Sequence, residues 1–300
     1  MNKWLEAMRL RTLPVSISGV LGGTACAIFH HGFAVLPFLI CLFFAITAQI
    51  TSNFANEYYD YKNGLDRKGR EGFRRGVTEG DISPASMKKA TYFTLILSCC
   101  IGASLIIRGG WWLIFIGLAI AVFALAYSTG PFPLSHHGLG EVAVVIFFGF
   151  VPVIFTEYVQ TREMFLDSTT FFIAAAIGLM GSNVLIVNNY RDVEDDCLVG
   201  KRTSVVLFGK TVMSFVYYSN GILAAIFLAI ASSPLPFWVS AGWLSYFAFH
   251  TMLWGKLKML TGSALNDVLK WSSILMFAVA IYLVVIFACL KPSDSLFTVI

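Results

Sequence analysis

Charge is what this sequence has least of. Of its 300 residues 13% are Asp, Glu, Lys or Arg, while 57% are hydrophobic and the mean hydropathy is +0.76. Soluble domains carry about 25% charged residues and are at most about half apolar. Too little of such a surface can face water, which excludes a soluble enzyme, a disordered chain and a soluble nucleic-acid binder. Cysteine is scarce as a scaffold too: of six, only Cys99 and Cys100 are close, none has metal-ligand spacing, and all but Cys197 lie in apolar runs as small hydrophobes. That excludes a disulfide framework. No Ser-His-Asp or Cys-His arrangement stands out. The opening Met1 to Trp4 is too short and polar for a cleavable signal, and the first apolar helix is expected to stay. What the chain does have is long apolar runs, which make it a polytopic membrane protein.

Nine runs have the length of a membrane span, near 13–30, 34–57, 87–107, 111–128, 141–157, 169–189, 212–232, 236–254 and 271–290. Together they predict one all-α membrane domain over residues 1–300. Turn-forming pieces such as His30-His31-Gly32, Gly130-Pro131-Phe132-Pro133 and Ser233-Pro234-Leu235-Pro236 separate them. Three polar connections remain long enough to hold a site, near 58–86, 190–211 and 255–270. With the N-terminus cytoplasmic, 18 of the 21 Lys and Arg residues fall on the cytoplasmic side, and only Arg108, Arg162 and Lys291 fall outside. By the positive-inside rule this sets the orientation and leaves the C-terminus external. The net charge of +4 is thus a topology signal.

Acidic residues follow the bases, which the topology rule does not require. Glu57, Asp60, Asp66, Glu71, Glu79 and Asp81 crowd the first connection; Asp192, Glu194, Asp195 and Asp196 crowd the second. Four expected spans separate the two, and an even number of crossings returns the chain to the same side. Asn56-Glu57-Tyr58-Tyr59-Asp60 recurs 132 residues later as Asn188-Asn189-Tyr190-Arg191-Asp192, a shared Asn-x-Tyr-x-Asp where a long apolar helix ends. Residues four apart share a helical face, so Asn56 aligns with Asp60, and Asn188 with Asp192 and Asp196. Asp66 lies about 120° off that face, but Gly64 can end the helix and let it turn back. Carboxylates so crowded need a cation. Hard oxygen donors select magnesium or calcium, and magnesium binds through a few carboxylates plus substrate phosphates. Arg70, Arg74, Arg75, Lys201 and Arg202 stand beside them as phosphate partners. Acid, metal and base together describe a diphosphate site.

These residues resemble the UbiA superfamily of intramembrane aromatic prenyltransferases over essentially the whole chain, with Asp-rich motifs after the second and sixth of nine helices. Within it they are most similar to the branch acting on 1,4-dihydroxy-2-naphthoate in menaquinone biosynthesis. The similarity rests on Asp60-x5-Asp66 with Gly64 inside, on Tyr127-Ser128-Thr129-Gly130-Pro131 leading to His137-Gly138-Leu139-Gly140-Glu141, and on Asn188 to Asp196 followed by Gly200-Lys201-Arg202-Thr203. Glu57 replaces the usual Asp, Arg9-Leu10 the usual Arg-Pro, and Gly72-Phe73-Arg74-Arg75 the usual Gly-Pro-x-Arg. The resemblance implies nine transmembrane helices around a central cavity. It implies Mg2+ held by Asn56, Asp60, Asp66, Asn188, Asp192 and Asp196, with Arg75, Lys201 and Arg202 on the diphosphate of a polyprenyl donor. Dihydroxynaphthoate would be the acceptor, prenylated with loss of its carboxylate, at the cytoplasmic face of a bacterial inner membrane.

Other features carry less. Among the many aromatic residues most belong to spans and interfacial belts; Tyr58, Tyr127 and Tyr190 are expected at the substrates because they lie within the motifs. His136-His137 beside the Gly-rich turn could orient the acceptor ring but, without metal-ligand spacing, reads first as a loop pair; Glu141 reads as a helix cap, Asn266-Asp267 as a helix start, and Gln49 as a residue lining the inner cavity. The alternatives are a related enzyme using another acceptor such as 4-hydroxybenzoate, and a cation transporter. A transporter is disfavoured because the repeated units are parallel and sit at helix ends, with no charge at mid-span. A CDP-alcohol-type phosphotransferase has its acidic motif only once.

Overall fold

The computed structural model describes residues 3–69 and 72–290, so Arg70, Glu71 and Lys291 lie outside the described residues. Its helices are α1 (Lys3–Ala7), α2 (Leu13–Phe29), α3 (Val35–Lys62), α4 (Gly76–Glu79), α5 (Pro84–Ala103), α6 (Ile106–Gly109), α7 (Leu113–Ala126), α8 (Gly140–Val144), α9 (Val151–Thr161), α10 (Ser168–Leu198), α11 (Ser204–Ala231), α12 (Phe237–Met259) and α13 (Leu265–Cys289). The starts follow local chemistry. Ser83 Oγ accepts from Ser86 N ahead of Pro84, and Asp167 Oδ1 accepts from Thr170 N at the head of α10.

The expected nine spans are corrected to seven. Among the described residues, the helical stretches long and apolar enough to cross a membrane are Lys3–Phe29, Val35–Lys62, Pro84–Gly109, Gly140–Thr161, Ser168–Leu198, Ser204–Ala231 and Gly262–Cys289. The other two expected spans fail for different reasons. Helix α7 has 14 residues, about 21 Å at 1.5 Å per residue, short of an apolar layer about 30 Å thick. Helix α12 has the length, but Trp238, Ser240, Trp243, Ser245, Tyr246, His250 and Lys256 dilute its apolar run. Counting crossings therefore no longer places the two acidic segments on one side. Direct contacts between them do.

The expected connections also shrink, because helix continues where hydropathy stops. Helix α3 runs on to Lys62 and α10 to Leu198, so Asn56 to Asp60 and Asn188 to Asp196 are helical throughout, and the second connection is only residues 199–203. Both acidic helices end alike. Gly64 has φ +70° and Leu65 N donates to Asp60 O at 2.8 Å; Gly200 has φ +73° and Lys201 N donates to Asp196 O at 2.8 Å. This left-handed glycine closure needs a residue without a Cβ penalty. It makes Asp60 the counterpart of Asp196, one turn out of step with the repeat read from the sequence.

Helix α10 is the buried axis, packed against α2, α8, α11 and α13. Small residues let its neighbours approach: a Cβ at Gly149 would lie 2.5 Å from Ala174 O and 2.6 Å from Gly178 Cα. Gly149 lies in a π-helical turn, Val145–Phe150, between α8 and α9. Pro152 lacks the N–H that a regular helix would return to Phe148 O, so the chain widens there. Helices α3, α5 and α7 form a looser second layer. At the end of the bundle away from the acidic segments, His30 Nδ1 meets Glu157 Oε1 at 2.6 Å, His30 Nε2 lies 3.3 Å from Asp167 Oδ2, and Thr170 Oγ1 donates to Glu157 Oε2 at 2.9 Å. Arg108 there donates to the carbonyls of Val159 and Gln160.

Candidate active site

Asp60 is fully buried and faces three basic side chains. Lys201 Nζ donates to its Oδ2 at 3.2 Å, Arg75 Nη2 lies 3.9 Å from the same oxygen, and His136 Nε2 lies 3.7 Å from Oδ1. Beyond the Gly64 closure the chain folds back, and Asp66 Oδ2 comes within 3.4 Å of Arg75 Nε. Arg75 thus bridges the two carboxylates of the first motif. The buried carboxylate of Glu57 takes the Val77 N–H at 3.0 Å and braces α4 instead of facing the cavity.

The second motif is knitted by Arg191. Its Nε and Nη2 hold both oxygens of Asp192 at 2.6 and 2.8 Å, Nη2 also donates to Asn188 Oδ1, and Nη1 donates to Asn266 Oδ1 at 2.7 Å. Its guanidinium stacks on Phe73 with Cζ 4.8 Å from the ring centre, and Arg11 faces the same ring at 5.1 Å. Arg67 donates to Asp195 Oδ1 through Nε at 2.7 Å and through Nη2. With the Lys201–Asp60 contact, this brings the two acidic helix ends together.

A third arm comes from the connection between α7 and α8. Ser128, fully buried, accepts from Asn56 Nδ2 at 3.1 Å; Ser135 Oγ donates to the Tyr127 carbonyl; His136 faces Asp60; His137 pairs by backbone with Arg202. Burial above all, then the charges of Glu141, Asp60 and Asp196, pushes the Tyr127 hydroxyl well above the usual phenol range. Tyr127 is therefore a neutral O–H at neutral pH. Arg9 reaches Asn56 Oδ1 at 3.3 Å from a left-handed backbone, φ +49°. Gln49, Asn53 and Thr12 hold that turn through mutual hydrogen bonds.

Beside them lies a polar cavity of about 150 Å³ lined by Asn56, Tyr127, Asn188, Asp192, Asp196 and Lys201, with Arg9 and Arg75; Asp60 and Asp66 stand behind Arg75 and Lys201 and are not part of its lining. A larger apolar cavity of about 370 Å³ lies between α2, α3, α5, α7 and α9. Gln49, Ser52, Phe123 and Phe148 line both, so the two share a wall. Other expected substrate contacts lie elsewhere. Tyr58 packs in the small core of Phe54, Val77 and Met87, Tyr190 is buried in the main core with Lys210 5.4 Å from its ring, and the Arg202 side chain is exposed.

The donors fit a hard divalent cation in kind: carboxylate and amide oxygens, with Asp60 Oδ1 buried and accepting no hydrogen bond. Among the described residues no three Asp, Glu, His or Cys side chains are gathered as a closed cage. The protein offers part of a coordination sphere, which suits an ion that keeps waters and shares phosphate oxygens. Sequence reasoning missed the parts of Ser128, Arg191 and Asn266, and it ranked a loop pair above a site role for His136, which here faces Asp60. The available signal was the Ser and His content of a turn-rich connection inside an otherwise apolar chain.

Comparison with known proteins agrees with this geometry. The family model described as the UbiA prenyltransferase family matches residues 16–263. The chain is 36% identical over 214 residues to 1,4-dihydroxy-2-naphthoate octaprenyltransferase of Escherichia coli K12, covering 69% of this chain and 68% of that one. It is 32% identical over 240 residues to the Haemophilus influenzae enzyme of the same name, covering 77% and 75%. In three dimensions it resembles a UbiA homologue from Archaeoglobus fulgidus bound to GPP and Mg2+, with TM-score 0.66 and 15% identity over 95% of this chain and all of that one. That likeness speaks for the fold.

Proposed function

Since the chain belongs to the UbiA prenyltransferase family, we propose that this membrane prenyltransferase moves a polyprenyl chain from an allylic polyprenyl diphosphate to 1,4-dihydroxy-2-naphthoate. The observation that carries the reading is the meeting of two acidic helix ends over a polar cavity that shares a wall with an apolar one. A donor with a charged head and a long apolar tail matches that pairing. The named activity of the bacterial relatives supports the naphthoate acceptor.

In this reading the allylic C–O bond breaks and diphosphate leaves. The ring carbon bearing the carboxylate bonds to the allylic carbon, and carbon dioxide departs to restore the aromatic ring. Asn56, Asp60, Asp66, Asn188, Asp192 and Asp196 are the oxygens that would hold Mg2+, which when bound neutralises the diphosphate as charge builds on it. Arg75 and Lys201, now on Asp60, are placed to move onto phosphate oxygens. Tyr127 offers a neutral hydroxyl to the acceptor, and Phe123 and Phe148, in the wall shared by the two cavities, would be the aromatic rings nearest to positive charge at the allylic carbon. The apolar cavity excludes water from that carbon, and positioning with electrostatics supplies the catalysis. The concentration of Lys and Arg at the end bearing the site, with Arg108 at the other, supports a cytoplasmic site in a bacterial inner membrane.

Purified protein in lipid, given labelled polyprenyl diphosphate and a choice of dihydroxynaphthoate or 4-hydroxybenzoate, tests this. Magnesium-dependent product with the naphthoate is expected, abolished by EDTA and reduced about 100-fold or more in Asp60→Ala and Asp192→Ala. Product with 4-hydroxybenzoate alone would reassign the acceptor. Transfer that survives EDTA or both substitutions would overturn the site.

A further inference from the structure

Glu141 has a part that neither the metal nor the substrates explain. It stands near the start of α8, and its carboxylate is turned toward two other helices. Oε1 accepts from Asn189 Nδ2 at 3.0 Å and from the Ser204 hydroxyl, while Oε2 is buried without a hydrogen-bond partner among the described residues. A stranded buried oxygen is unfavourable, so the position is kept for what Oε1 holds. Asn189 lies in the second acidic motif and lines the polar cavity. Ser204 is the first residue of α11, directly after Lys201, Arg202 and Thr203. A single oxygen therefore ties the acidic end of α10 to the segment whose Lys201 reaches Asp60. The α7–α8 connection just before Glu141 grips that segment as well, through the backbone pairing of His137 with Arg202.

From this geometry we infer that Glu141 is a positioning residue, a strut that fixes how far the Lys201 segment stands from the second acidic helix end, and so sets affinity for the diphosphate of the donor. The inference rests on the prenyltransferase reading above. The strut acts through an acceptor oxygen shared by two neutral donors, and Gln presents the same oxygen. Glu141→Ala releases both donors and lets the Lys201 segment drift.

The test measures binding of a non-hydrolysable polyprenyl thiodiphosphate by titration calorimetry, together with separate KM values for donor and acceptor. Glu141→Ala is expected to weaken thiodiphosphate binding and raise the donor KM by about 10–100-fold, with the acceptor KM within about twofold of wild type. Glu141→Gln is expected to restore most of the loss. Ser204→Ala should shift the donor KM in the same direction by less, and add little to Glu141→Ala; it also serves if Glu141→Ala does not fold. Wild-type donor affinity in Glu141→Ala would overturn the strut. So would a parallel rise of both KM values with a fallen thermal midpoint, or a Gln variant as defective as Ala. A wild-type protein without transferase activity would strike the proposed function instead.

Discussion

Arg191 commits its guanidinium to Asn188, Asp192 and Asn266 while its Cζ sits over the Phe73 ring. A lysine can supply the charge but not the planar fork or the stacking face. Arg191→Lys is therefore expected to lower kcat/KM by about 10–100-fold while the protein still folds, as read from steady-state kinetics beside a thermal unfolding trace. Unchanged kinetics would show that Asp192 needs no such support. At this scale the sequence disclosed the acids and several bases, because repetition and four-residue spacing are visible in one dimension. It hid the partners. Arg191 falls at a variable place in the repeat, whose counterpart is Tyr59, and the fold brings His136 to Asp60 across 75 intervening residues. Glu141 reads as a helix cap until the third dimension shows which helices its oxygen meets.

Helices are where apolar length and actual length part company. Hydropathy marks where lipid contact ends, and α3 and α10 continue well past that point because their polar ends keep helical hydrogen bonds and bury Glu57 and Asp60, and Asp192, Asp195 and Asp196. The same measure over-counted spans, since it could not tell that α7 is too short or that α12 is diluted by Trp, Ser and His. The Gly64 turn was readable because a glycine soon after a polar helix end has a known local geometry. The close crossing at Gly149 and Gly178 was not, because it depends on two helices meeting face to face. A side chain there must push the π-turn off α10. Gly178→Val is expected to cost about 1–3 kcal/mol, seen as a lower thermal midpoint in detergent, whereas substitution at the open Gly117 should leave the midpoint in place. Equal midpoints for the two variants would contradict the close packing.

The whole molecule is a bundle with a different kind of polarity at each end. Opposite the acidic site, burial disfavours charge on His30, but the hydrogen bonds its ring donates to Asp167 and Glu157 outweigh it and lift the ring from about 6.5 to about 9. Asp167, despite burial, is held below its usual range chiefly by His30. The stability that His30 contributes is complete below about pH 6.5 and is lost as pH rises through about 9; that of Asp167 is present above about 3.8 and lost on further acidification. The thermal midpoint should fall between about pH 6.5 and 9, and His30→Gln should flatten that alkaline decline. An unaltered decline in His30→Gln would assign it elsewhere. At the other end, the twin glycine closures stop α3 and α10, and Lys201 on Asp60 with Arg67 on Asp195 ties those two ends to each other. Peptide dipoles make a helix C-terminus equivalent to about half a negative charge. Two such ends tied together add backbone dipoles of one sign to the pull of the aspartates on a cation. The backbone therefore keeps part of its pull on a cation even when one aspartate is replaced.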